Sequence, residues 1–548
     1  MRIHPLLLAL ALGCLSCSDR PGATSDAGAD AGRRDQGPRP DSGCPVTARP
    51  GPGLVITGRG AVKGVRAGKT WAFLGVPYAA PPLGKLRWRP PQPAACFPGT
   101  LEAGAWGPLC PQLDDGGAVV GREDCLQLNV WTPEPRPAAP APVMVWIHGG
   151  GHIQGGAARQ SGTVRIHDGR RLTEKTGAVV VTINYRLGAL GYLAHAALTR
   201  EDPNGSSGNH GTLDQLAALR WVQRNIAAFG GDPGRVLIFG ESAGGVAVCT
   251  LVASPLGKGL FSAAAIQSGG CNASPLATSE AFGVKVFTAA GCQGAADPLA
   301  CMRALPADKL LLAYPVKVDV AGKSSGYGST IDGHVLADVP ERVIAAGKHN
   351  PVPVIVGTTS DETSRSVPAG ITSEQAFRAA VALLFPTPAV ASQVLAQYPL
   401  KDYASPRAAY VALTSDAKFV CTARRALRAF ARGQTRPAYR YLLSHRLDNG
   451  SALLRSYGAW HGVDVLYMFE TLTVGGYRPG TGDQAVSDAL AGHWSRLAAA
   501  GDPNKAGTSA WPAWSQGDDP HLVLDAPLST ARGVRTRQCD FWDTLAGL

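Results

Sequence analysis

Val236-Leu-Ile-Phe-Gly240-Glu241-Ser242-Ala243-Gly244-Gly245-Val-Ala-Val-Cys-Thr-Leu-Val252 joins two segments of different character. Val236–Phe239 is a continuous apolar run of β-favouring residues, the pattern of a strand covered on both faces. Ala243–Val252 has no charge and no proline, and reads as a helix whose two glycines allow close packing against a sheet. The link between them, Gly240-Glu241-Ser242-Ala243-Gly244, fits the G-x-S-x-G turn. A serine on such a corner holds its Oγ above the sheet edge, and the helix N-terminus offers free N–H groups to a negative oxygen. Ser242 is therefore the candidate nucleophile.

Five residues alone are weak evidence, and a second match exists at Gly322-Lys323-Ser324-Ser325-Gly326. The residues after it, Tyr327-Gly-Ser-Thr-Ile-Asp-Gly-His334, have turn chemistry and no helical period, so Ser324 reads as a loop residue. Upstream, the apolar run Val143–Ile147 leads through His148 into Gly149-Gly150-Gly151-His152. Three glycines after a strand expose backbone N–H groups that no side chain obstructs, the usual second source of oxyanion donors. His148 and His152 have the spacing of a helical metal pair, but three intervening glycines argue against a helix. Gly64-Val-Arg-Ala-Gly68-Lys69-Thr70 is one residue short of a phosphate loop and reads as a hairpin turn.

Working outward, strand candidates are Leu126–Trp131, Val143–Ile147, Val179–Ile183, Val236–Phe239, Ala264–Gln267, Val354–Val356 and Tyr439–Leu443. Helix candidates between and after them include Leu213–Ala228, Ala243–Val252 and Ala485–Ala499. Strands alternating with helices mean an α/β protein: a large, mostly parallel central sheet covered by helices on both faces. No internal repeat appears, and residues 51–548 read as one catalytic domain.

The N-terminus differs. Arg2, the apolar run Leu6–Leu12 and Gly13-Cys14-Leu15-Ser16-Cys17 fit an export signal over 1–17, too short to span a bilayer. Leu10-Ala-Leu-Gly-Cys14 resembles a lipoprotein cleavage box, which makes Cys14, with Cys17 second, a candidate lipid acceptor; plain secretion is the alternative. Residues 18–50 are Asp, Gly, Ala, Pro, Ser and Arg with almost no large apolar side chain, the composition of a flexible tether. The net charge of +11 is not gathered into a basic run, so nucleic acid is not an expected partner. The only expected membrane attachment is an N-terminal lipid. Twelve cysteines in an exported chain imply some disulfides, whose pairing spacing alone leaves open.

An ordered set of further motifs runs from about Val62 to Phe541. It includes Phe73-Leu-Gly-Val-Pro-Tyr-Ala79, Glu123-Asp-Cys-Leu-Gln-Leu-Asn-Val-Trp131, Trp146-Ile-His-Gly-Gly-Gly151 and Asn184-Tyr-Arg-Leu-Gly188. Gly211-Thr-Leu-Asp-Gln215, Phe229-Gly-Gly-Asp-Pro233, Gln267-Ser-Gly269, Trp460-His-Gly-Val-Asp464 and Gly501-Asp-Pro-Asn504 follow. In this the chain resembles the type-B carboxylesterases and cholinesterases, which have the α/β-hydrolase fold. The resemblance implies a serine esterase acting through an acyl-enzyme, with no metal or organic cofactor and a small-molecule ester as substrate. In that fold the chain order is Ser, acid, His. Six histidines follow Ser242: His334, His349, His445, His461, His493 and His521. The family motif falls on His461, and the other five read as surface or loop histidines. The family's acid falls on Glu362, after the strand Val354–Val356; Asp361 is the alternative, because Thr363 stands where the family commonly has Gly. The implied oxyanion hole is the N–H groups of Gly150, Gly151 and Ala243. The resemblance also implies the disulfides Cys110–Cys125, Cys292–Cys301 and Cys421–Cys539, with Cys44–Cys96 a speculative fourth. Cys249 and Cys271 read as buried thiols.

A related acyl hydrolase (lipase, thioesterase or aryl amidase) would need the same residues, and a non-catalytic adhesion protein would keep only the fold. Cholinesterases hold their cationic substrate with a Trp inside the first disulfide loop, by cation–π attraction. Here that loop, Pro111–Asp124, contains no aromatic residue. Acetylthiocholine should therefore be turned over poorly beside a neutral short-chain aryl ester; measured kcat/KM values favouring the choline ester would reverse this expectation.

Overall fold

The computed structural model describes residues 44–546 except 46, 136, 322–325 and 506–509. The segments read as export signal and most of the tether, with Cys14 and Cys17, lie outside the described residues, as does Ser324. The described residues form one compact unit.

Its centre is an eleven-stranded sheet. In chain order the strands are β1 (Val65–Ala67), β2 (Thr70–Pro77), β3 (Gln127–Thr132), β4 (Ala141–Ile147), β5 (Val179–Ile183) and β6 (Gly231–Glu241). They continue as β7 (Ala263–Gln267), β8 (Val354–Thr359), β9 (Ala438–Leu443), β10 (Pro520–Leu524) and β11 (Ser529–Arg532). Across the sheet the order is β11-β10-β9-β8-β7-β6-β4-β5-β3-β2-β1. The strands from β5 to β10 are parallel; the pairs β1/β2, β2/β3, β3/β5 and β10/β11 are antiparallel. Gly64–Thr70 is indeed a turn into a hairpin, with Gly68 at φ +62° between β1 and β2.

Alternation along the strands builds two cores. In β4, Val143, Val145 and Ile147 pack with Val236, Ile238 and Ile266 of neighbouring strands. That face is covered by α1 (His210–Asn225), α2 (Ala243–Ala253) and α3 (Cys421–Gly433), through Leu219, Val248 and Leu427 among others. Met144 and Trp146 point the other way and meet Leu237, Phe239 and Ile355. There α4 (Thr481–Ala500) closes the face with Val486, Leu490, Trp494 and Leu497. Each fully buried Val, Leu or Ile side chain contributes about 1.5–3 kcal/mol relative to exposure, which explains why such apolar runs tolerate no slip in register. A satellite core around Phe377, Tyr398, Leu413 and Trp542 joins α5 (Thr536–Leu545) to the helices before α3.

Among the described residues five disulfides are formed: Cys44–Cys96, Cys110–Cys125, Cys249–Cys271, Cys292–Cys301 and Cys421–Cys539. One expectation on the cysteines needs correction. Cys249 and Cys271 are not buried thiols; α2 and the loop after β7 run side by side, which brings their Cα atoms to 5.4 Å. The speculative fourth pair, Cys44–Cys96, is formed and ties residue 44 to the body. A second correction concerns His521, which is buried on β10, neither on the surface nor on a loop; its Nδ1 faces the Asp519 carbonyl at 3.5 Å. Five disulfides belong to an oxidising compartment outside the cytoplasm. Among the described residues no helix is long and apolar enough to cross a membrane.

Alkylation followed by mass spectrometry should find no free thiol at Cys249 or Cys271 until the protein is reduced. Replacing Cys421 and Cys539 by Ala should lower unfolding stability by up to roughly 5 kcal/mol in the chain-entropy model, because their bond closes the longest loop, 118 residues. A denaturant titration reads the loss.

Candidate active site

The site assembles at the carboxyl ends of the central parallel strands, where open α/β sheets bind their ligands. Ser242 follows β6 directly and precedes the first residue of α2, with φ 57° and ψ −123°. Left-handed φ is uncommon for a non-glycine residue and persists only where the surroundings enforce it. Here they do: the Ser242 N–H donates to the Gln267 carbonyl at 2.9 Å, pinning the corner to the end of β7. Gly240 and Gly244 make the corner possible. A Cβ at Gly244 would lie 2.0 Å from the Ile147 carbonyl oxygen, and one at Gly240 would lie 2.6 Å from the same atom.

The glycine strip rides against this corner. A Cβ on Gly149 would meet the Glu241 carbonyl oxygen at 2.6 Å and the Ser242 Cβ at 3.0 Å. Gly150 has φ +110° and Gly151 φ +63°, and the turn closes as Ile153 and Gln154 donate to the Gly150 carbonyl. The segment is a turn and not a helix, so His148 and His152 do not form a helical pair; His148 Nδ1 sits 2.9 Å from the Gly149 carbonyl. Gly151, Ser242, Ala243 and His461 line one cavity of about 390 Å³.

His461 stands on the loop between β9 and α4, bound at both ends to Glu362. Its backbone N–H donates to the Glu362 carbonyl at 3.0 Å, and its Nδ1–H donates to Glu362 Oε2 at 2.6 Å. The Glu362 side chain is fully buried, and Oε1 accepts from the Ser268 hydroxyl at 2.6 Å and the Thr359 N–H at 2.9 Å. Three donors meet one buried carboxylate, which compensates its lost hydration. Asp361 faces elsewhere: its Oδ2 accepts from the Ala459 N–H and the Ser360 hydroxyl, so it shapes the loop and does not touch the ring. Thr363, at the position where the sequence leaves the family pattern, is buried and bonds to Thr414 at 2.6 Å.

Two further acids surround the imidazole. Glu241 Oε1 lies 3.1 Å from His461 Nε2, too poorly aligned for a hydrogen bond. Asp464, fully buried, accepts from Gln267 Nε2 at 2.8 Å and the Tyr441 hydroxyl at 3.1 Å. Burial pushes both carboxyls above their ordinary range, with His461 pulling the other way. Burial disfavours the imidazolium of His461, but Glu241, Glu362 and Asp464 together outweigh it and raise its pKa. Glu241, Ser268 and Asp464 stand inside motifs quoted from the sequence, yet no role attached to them there. Their signal was proximity across three separate segments, which spacing along a chain does not carry.

Residues 52–542 match the model of the carboxylesterase family. The chain is 38% identical over 482 residues to fumonisin B1 esterase of Sphingopyxis macrogoltabida, covering 84% of each protein. It is 33% identical over 516 residues to cocaine esterase of Oryctolagus cuniculus, covering 88% of this chain and 92% of that one. With carboxylesterase 1D of Rattus norvegicus it shares 32% identity over 517 residues, 86% of this chain and 88% of the relative. The chain belongs to the carboxylesterase family of α/β-hydrolases and is a carboxylic ester hydrolase.

Proposed function

We propose that Ser242, His461 and Glu362 are the catalytic triad of this esterase, and that Gly150, Gly151 and Ala243 supply the oxyanion hole. One observation carries the reading: a serine held at a strained strand-to-helix corner shares a cavity with an imidazole whose Nδ1 is fixed by a buried carboxylate. With the proton on Nδ1 bonded to Glu362, Nε2 keeps its lone pair and is the base. Nε2 takes the Ser242 proton as Oγ attacks the ester carbonyl, then returns it to the departing alcohol. Water repeats the cycle on the acyl-enzyme and releases the acid. The negative oxygen of each tetrahedral intermediate is met by backbone N–H groups; losing one such donor costs about 3–4 kcal/mol of barrier. Ala243 opens α2, so the helix N-terminus adds its positive end to the same point.

Neutral short- to medium-chain esters are the proposed substrates. The aromatic side chains among the described lining residues are Tyr327 and Phe419 besides the histidines, with no Trp to hold a quaternary ammonium. One relative is named for fumonisin B1 and another for cocaine, so both esters belong in a substrate panel.

Ser242→Ala should reduce p-nitrophenyl ester hydrolysis by at least roughly 10⁴-fold with the fold intact by circular dichroism; undiminished turnover would remove Ser242 as nucleophile. The pH profile tests the acid cluster. His461 must be neutral to act as base, and the carboxyls hold its pKa above the ordinary value of 6.5, so the acidic limb of kcat/KM should lie above that pH. Glu241→Gln removes one group favouring the imidazolium and should move this limb to lower pH by roughly one unit or more. A limb that stays in place would mean that Glu241 exerts no field on the base.

A further inference from the structure

His152 is the one residue in the glycine strip with a large side chain, and it carries two unfavourable features at once. Its backbone is left-handed, at φ 60°. Its ring is buried, 5% exposed; Nε2 is closed off and has no hydrogen-bond partner among the described residues, and Nδ1 lies 3.7 Å from where a Cβ on Gly328, another residue lining the cavity, would stand. Backbone strain and an unpaired buried polar atom are each uncommon in folded proteins and concentrate at functional positions. The surroundings hold the residue firmly: its carbonyl accepts from the Gly188 N–H at 2.7 Å, and its ring packs on Tyr192 with centroids 4.6 Å apart. His152 also lines the 390 Å³ cavity together with Ser242 and Ala243.

We propose that His152 determines specificity by hydrogen-bonding a polar group that the substrate carries close to its scissile ester. The residue directly follows Gly150 and Gly151, so a group within its reach lies beside the reacting carbonyl. Burial pulls its pKa down to about 4, which leaves a neutral ring with one N–H and one lone pair. Such a ring suits a hydroxyl or a carbonyl and needs no charge on the ligand. The favoured substrates are thus esters hydroxylated or oxygenated near the ester bond, on the acid or the alcohol side. An apolar ester of the same shape leaves the imidazole unpaired in the complex, and a site built to bond a polar group discriminates strongly against such an analogue.

This inference rests on the assignment of Ser242, and the test keeps the two apart. Two isosteric pairs are compared by kcat/KM: p-nitrophenyl 3-hydroxybutyrate against 3-methylbutyrate, and 2-hydroxypropyl butyrate against isobutyl butyrate. The wild-type protein should prefer the hydroxylated member of at least one pair by about tenfold or more. His152→Leu should abolish that preference, and His152→Asn, which keeps a neutral donor and acceptor, should retain part of it. No preference in the wild type, an unchanged ratio in His152→Leu, or an equal loss on both members would overturn the proposal. Any of these, with Ser242→Ala inactive, defeats His152 alone; activity persisting in Ser242→Ala defeats the assignment beneath it.

Discussion

The approach of α2 to the ends of β4 and β6 governs the site. The Ile147 carbonyl oxygen occupies the space where side chains of residues 240 and 244 would begin, so only glycine fits at either place. That contact lets the helix start immediately above the sheet, and it forces the intervening residue into a left-handed conformation. Gly149 then lies against the same corner, which brings the glycine strip within reach of the serine. A methyl group at position 244 would push α2 outward. It would relax Ser242, detach the helix N-terminus from the reacting centre and open the joint to water. Ser242, the glycine strip and the helix end are thus not three independent provisions; one steric constraint sets them together.

The disulfides act on the same geometry from outside. Cys249 on α2 is bonded to Cys271 in the loop after β7, and that loop begins with Ser268, which donates to Glu362. The covalent bond therefore links the helix behind Ser242 to the segment that orients Glu362. Cys421 opens α3, directly after the π-helical turn Asp416–Val420, and Phe419 of that turn packs on the His461 ring with centroids 4.6 Å apart. Its bond to Cys539 anchors this turn to the last helix of the chain. In a protein outside the cytoplasm, such staples restrain elements that no single core layer holds.

Much of this was legible in the sequence because the informative residues report local geometry. Glycines at 240, 244 and 149–151 and apolar runs at 143–147 and 236–239 each specify a backbone state by themselves. Some strand limits moved by a few residues, as in β6, which begins at Gly231 ahead of its apolar run. What stayed hidden is set by contacts between distant segments. Cys249 and Cys271 are both apolar-looking positions in isolation, and only the packing of α2 beside the β7 loop reveals a bond. Which of Glu362 and Asp361 meets the His461 ring was open on the chain because adjacent residues point to opposite sides; Glu362 does, held by the Ser268 and Thr359 donors. His152 reads as one more residue after a glycine run until its strain and its unpaired nitrogen are seen.

The acid cluster raises a question of charge that the geometry itself answers. Glu241, Glu362 and Asp464 surround one imidazole in a largely buried space, and three ionised carboxylates there would repel each other severely. Their hydrogen-bond supply is unequal. Glu362 receives three donors, Asp464 receives two side-chain donors and a backbone N–H, and Glu241 Oε1 receives no aligned donor. Glu241 is accordingly the member for which the charged form is worst solvated, and burial pushes its carboxyl well above the ordinary range. Positive charge on His461 would change that balance, since an imidazolium favours ionisation of the carboxyl beside it. Glu241 and His461 are thereby coupled and share apparent pKa values. The least satisfied carboxyl of the cluster is the one placed to respond when positive charge develops on His461.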